Sequence, residues 1–170
     1  MTDAAPVLPH LTSEFLTWLW YATERDMGSF ALPEGGRFDA WVDDRLSFRT
    51  PEDDRPRAVL TGENPSGSLE ARAALAGGKL VRDLRLGMRR EDREYSLVLK
   101  GGTLDFQGAK LPGMFKGTED EALFDRLFLL EELRWLVKVL FQHFATERGS
   151  PEWETTVLPQ MQGWVSGEEV

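Results

Sequence analysis

The chain has 170 residues, of which 41% are apolar and 29% charged, the composition of one globular domain with a sizeable core rather than of a disordered chain. It contains no cysteine, which excludes disulfides, thiolate metal sites and cysteine nucleophiles and is compatible with a cytoplasmic location. Its net charge of −9 is unevenly spread: residues 1–54 sum to −7, residues 55–117 to +5 and residues 118–170 to −7, so a basic middle lies between two acidic ends.

Taken in order, residues 1–12 read as a flexible tail with two prolines, and the start lacks the basic and apolar runs of a signal peptide. A single α+β domain is expected over residues 13–165. Thr12 or Ser13 can cap a first helix from about Glu14 to Arg25. That helix is apolar nearly all round, so it is expected either in a core or against another chain. On the second reading Trp18, Trp20 and Tyr21, with Trp135 further on, are candidate interface residues.

A Gly/Pro-rich link follows. The alternating stretches RFDAWV and RLSFRT predict two strands of a hairpin turning at Asp43-Asp44. PEDDRP reads as a loop and RAVLTG, from Arg57, as a third strand. Ser66 or Ser68 opens a short helix closed by Gly77 and Gly78. The period then becomes two. Leu80, Leu84, Leu86 and Met88 fall on one face, with Arg82 out of place among them, and Val81 falls on the other. REDRE is a charged hairpin tip, EYSLVLK the returning strand and TLDFQ a last strand.

The strongest signal runs from Thr118 to about Ala145. Thr118 and Glu121 form a capping box, and three acids occupy the first turn. Apolar residues then recur in a stripe much wider than a coiled-coil seam, interrupted by Glu131, Glu132, Arg134 and Lys138, a pattern unlike a membrane span. Arg148, Gly149 and Pro151 supply the stop. A short helix, PEWETTV, is expected to end at Pro159, with Trp164 docking on the body. The element order predicts an antiparallel sheet, a hairpin plus a meander, packed by the long helix and the aromatic first helix.

No catalytic constellation emerges. His10 and His143 are the only histidines, without zinc-ligand spacing, and no nucleophile elbow or phosphate loop occurs (Gly78-Lys79 is followed by Leu80). The carboxylate pairs Asp43/Asp44, Asp53/Asp54 and Glu131/Glu132 are adjacent, so their side chains diverge. The chain is therefore expected to be non-enzymatic, without cofactor or metal. A basic cluster remains: Lys79, Arg82, Arg85, Arg89, Arg90 and Arg93 lie along one strand and its tip. A ribbon of this kind can follow a phosphate backbone. The interleaved Asp83, Glu91, Asp92 and Glu94 could neutralise it.

EFLTWLW, EARAALAGGKLVRDLRL, EYSLVLKGGTLDF and DEALFDRLFLLEELRWLVKVLF occur in an order that resembles the C-terminal half of the recombination-associated RdgC-like family. The likeness covers roughly residues 14–145 and rests on hydrophobic patterning. It implies a nucleoid-associated protein, a ring-shaped dimer holding double-stranded DNA without sequence preference. No cofactor is implied. By position, Lys79 and the arginines after it would be the DNA contacts. Two expectations result: a DNA-associated or recombination-modulating protein, or an acidic protein–protein module, homodimeric or bound to another chain, that no longer binds DNA.

Overall fold

The computed structural model describes residues 7–101, 105–113 and 117–167, with the side chains of residues 7–13 and 54 left aside. Helix α1 spans Val7–Arg25, so it begins seven residues before the predicted Glu14. Pro9 does not prevent this, because the first turn of a helix needs no amide from that position. His10, expected in a tail, therefore falls in α1, while residues 1–6 of that tail lie outside the described part.

The sheet has six strands: β1 (Ser29–Ala31), β2 (Arg37–Thr50), β3 (Asp53–Thr61), β4 (Leu80–Arg90), β5 (Arg93–Lys100) and β6 (Phe106–Lys110). All pairings are antiparallel, in the order β1-β2-β4-β5-β6, and β3 joins the later half of β2. Asp43-Asp44 does not turn the chain. β2 runs through it as one 14-residue strand, and the real turn is at Pro51-Glu52, where Thr50 faces Asp53. PEDDRP is accordingly mostly strand. Between Val42 and Leu46 β2 carries two more residues than the facing stretch of β4, Leu86 to Leu84. Two extra residues preserve the alternation, so Phe38, Ala40, Leu46 and Phe48 all point into the core.

A second irregularity explains the misplaced Arg82. Ser47 pairs with Asp83 but Phe48 pairs with Val81, so β4 carries one extra residue there. One residue reverses the alternation. Val81 is therefore buried beside Leu84, Leu86 and Met88, against expectation, and Arg82 turns out to become half-buried. The expected strand TLDFQ begins in part outside the described residues; β6 starts at Phe106 and runs later, through Lys110.

Helix α2 (Leu69–Ala76) is capped by Ser68, whose hydroxyl accepts from the Ala71 amide at 3.2 Å. Helix α3 (Glu119–Arg148) has both arms of the predicted capping box. A single wide turn, Trp153–Val157, leads into α4 (Leu158–Val165). Pro159 begins that helix rather than breaking the one before it, since proline is tolerated in a first turn. Helix α1 lies directly on β2 and β4, and the later half of α3 packs on α1. Phe15, Trp18, Phe141 and Phe144 fill the α1–α3 seam, with ring centroids 5.2–6.3 Å apart. Trp164 docks as expected, 4.7 Å from Trp20, and Glu24 ties them by accepting from both indoles.

Candidate interaction surface

The structure separates the six predicted cations. On the outer sheet face Arg89 pairs with Asp39 at 3.1 Å, Arg85 with Asp44 at 3.0 Å and Arg82 with the buried Asp83 at 2.7 Å, and Arg45 also reaches Asp83 at 2.9 Å. At the tip Arg90 and Arg93 turn inward to α3. Each predicted arginine thus carries a carboxylate partner. Three of those partners, Asp39, Asp44 and Glu132, come from other elements, and their nearness was not visible in local sequence. Lys79 lies apart, beside a hollow of about 500 Å³ lined by Leu75, Trp153 and Met161.

Glu132 is where the tip meets the helix. It is buried, and its carboxylate accepts from Arg93 Nε at 2.7 Å, Arg93 Nη2 at 3.0 Å, Arg90 Nη1 at 3.2 Å and the Tyr95 hydroxyl at 2.5 Å. Burial alone would raise its pKa. The hydrogen bonds from Arg93 and Tyr95, then the charges of Arg93 and Arg90, outweigh burial and hold it below the ordinary carboxylate value. Burial and the same carboxylate push the Tyr95 hydroxyl up. Arg90 also lies over the Trp135 ring, its guanidinium carbon 5.0 Å from the centroid. This cluster is closed and fully partnered. It joins elements and has no group left over for chemistry.

The aromatic interface candidates are corrected in the same way. Trp18, Trp20 and Tyr21 are buried within the chain, so they offer no surface to another chain. Trp135 is half-buried against the core, beneath Arg90. The second histidine, His143, meets the Ala31 carbonyl oxygen through Nε2 at 2.8 Å, and among the described residues no group of three metal-ligating side chains assembles.

The exposed apolar surface lies elsewhere, and sequence reasoning missed it. The wide stripe of α3 divides in two. In the later half Leu133, Leu136, Val139, Leu140 and Phe144 face the core. In the first half Leu123 is 53% exposed, Phe124 71%, Leu127 49% and Phe128 65%. At about 100° per residue these four fall on the side of the helix opposite the core-facing set. Of residues 119–128 all but Ala122 are exposed, so this part of α3 stands clear of the body as an arm. The breadth of the stripe was the available signal: no single neighbour can cover so wide an arc.

The arm leads into a groove. Leu130, Val137 and Phe141 continue along α3 and, with Phe15 and Phe106, line a hollow of about 540 Å³ rimmed by Arg134, Lys138 and Asp105. The surface therefore has an acidic start at Glu119 and Asp120, an apolar middle, and a basic end. No helix among the described residues is long and apolar enough to cross a membrane, so that stripe is not a span. No protein-family model, curated protein or solved structure matches the chain.

Proposed function

We propose that this chain is a non-enzymatic protein–protein interaction module that docks another chain on the exposed face of α3. The supporting observation is the group Leu123, Phe124, Leu127 and Phe128, four large apolar side chains contiguous on one unpartnered helix face. Leaving such a patch in water is unfavourable by about 25 cal/mol per Å², and contiguous apolar patches on soluble proteins mark contact sites. An arm of this length would also fray alone, because isolated helices of about a dozen residues are marginal in water. A docked chain would remove both costs.

The test is a photo-crosslinking residue at position 127, with the same residue at the exposed Glu70 as control. An intermolecular adduct of defined mass from position 127 but not from position 70 is expected. Its absence in the producing cells overturns the reading.

A second reading, RdgC-like association with duplex DNA, draws support from the outward alternation of Arg85 and Arg89 along β4 and from the exposure of Arg89. Its test is binding to a random duplex across a salt series. A phosphate-driven complex loses affinity steeply as salt rises.

A further inference from the structure

We propose that the occupant of the α3 face is a second copy of this chain, lying antiparallel, with the arm of each copy in the groove of the other. This rests on the docking reading above and specifies its partner.

The argument is complementarity of a surface with itself. A two-fold interface requires that one patch match its own copy turned end for end. Along α3 the stripe that runs from the arm into the groove reads Asp120, Leu123, Leu127, Leu130, Arg134, Val137, with Lys138 beside the last; Leu130 and Val137 are half-buried at its core-side edge. These positions recur at spacings of three and four, the pattern by which one helix lies along another. The charges are opposite at the two ends. In an antiparallel pair centred on Leu129, Asp120 and Lys138 each lie nine residues from the centre, so Asp120 of one copy is level with Lys138 of the other. Phe124 and Arg134, each five residues from the centre, are level in the same way, an arrangement that sets a guanidinium on an aromatic ring.

The shapes agree with the charges. The arm is exposed on all sides and carries apolar bulk with acids at its tip. The groove is floored by Phe106, Val137 and Phe141 and bears two cations, Arg134 and Lys138, and one acid, Asp105, on its rim. Among the described residues Glu119, Asp120 and Lys138 form no ion pair within the chain, so both ends are available to a partner; Arg134 has only a long contact to Glu131 at 3.4 Å. A parallel pair would instead set Asp120 against Asp120 and Lys138 against Lys138, which is repulsive at both ends.

The experiment is sedimentation equilibrium of the full chain up to about 100 μM, with four variants. The unaltered chain is expected to dimerise. Asp120→Lys and Lys138→Glu should each weaken the dimer about tenfold or more, because each reversal acts at two symmetric sites. The double reversal, Asp120→Lys with Lys138→Glu, should restore association, since opposite charges again face each other. Phe124→Ser with Leu127→Ser should give a monomer of unchanged helicity by circular dichroism. A monomer at every concentration overturns the proposal; if position 127 still crosslinks, to an adduct of another mass, the docking reading stands with a different occupant. Dimerisation without rescue by the double reversal overturns the antiparallel seam. The reversed positions are exposed, so misfolding would not mimic the rescue.

Discussion

Glu132 on α3 takes both nitrogens of the Arg93 fork from β5, Nε to Oε1 at 2.7 Å and Nη2 to Oε2 at 3.0 Å. A two-pronged pair of this kind fixes orientation as well as distance. It fastens the hairpin tip to the helix just where α3 passes from the exposed arm to the buried half. Arg93 is thereby a joint of the fold, although its place in a basic cluster suggested a phosphate contact.

Glu132→Gln should therefore destabilise the protein by about 2–4 kcal/mol, because it removes the buried counter-charge of Arg90 and Arg93 and leaves them only the longer, more exposed contacts to Glu34 and Glu91, each at 3.3 Å. Tyr95→Phe, which removes one hydrogen bond to the same carboxylate, should cost about 1–2 kcal/mol. Urea denaturation followed by fluorescence measures both. A cost near zero for Glu132→Gln would mean that the cluster does not hold the tip.

The same carboxylate predicts the response to acid. Its folded pKa is lowered, so the unfolded chain takes up this proton first as pH falls. The stability it contributes is complete above the unfolded value, about 4.3, and is lost as pH drops through the lower folded value. Between the unaltered chain and Glu132→Gln the difference in stability should be constant from neutral pH to about pH 5 and shrink below it. A difference that instead grew on acidification would contradict the lowered value.

Phe124→Ser with Phe128→Ser should leave the stability of the isolated chain within about ±0.5 kcal/mol, since neither side chain is buried in it. Binding of a hydrophobic dye should fall in the same variant. A large loss of stability for the chain under monomeric conditions would show that the arm folds back on the body in solution.

Trp41 lies across Gly87, its partner in the β2–β4 register, on the outer face of the sheet. A Cβ at position 87 would stand 2.2 Å from the indole, closer than any real contact. Gly87→Ala should thus cost about 1–3 kcal/mol, and much less in a Trp41→Ala background, where the ring is gone. Equal costs in both backgrounds would place the penalty in the backbone instead.

The pairing of the cations also separates two kinds of arginine. Arg93→Ala should lower stability by about 2–4 kcal/mol through Glu132, whereas Arg89→Ala, which loses only an exposed pair with Asp39, should cost under about 1 kcal/mol. Arg89→Ala is then the cleaner probe of DNA affinity in a salt series. A fall in affinity from Arg89→Ala with stability intact would favour the DNA reading.

Sequence by itself determined the features that depend on neighbours along the chain. The capping box of Thr118 and Glu121, the Ser68 cap, the charged tip between Arg90 and Arg93 and the antiparallel α+β class follow from local hydrogen bonding and from periods of two and 3.6. Tertiary structure decided the rest. Asp43-Asp44 looks like a turn, but strand pairing on both edges of β2 carries the chain through it. The extra residue near Arg82 reverses a face, and only the partner strand shows it. Arg90, Arg93 and Glu132 lie about forty residues apart, so no local pattern could report that they neutralise one another. The width of the α3 stripe was legible, but which half meets the core depends on where α1 ends and the body stops. Burial is a property of the packed chain, and so the exposed arm could be found only there.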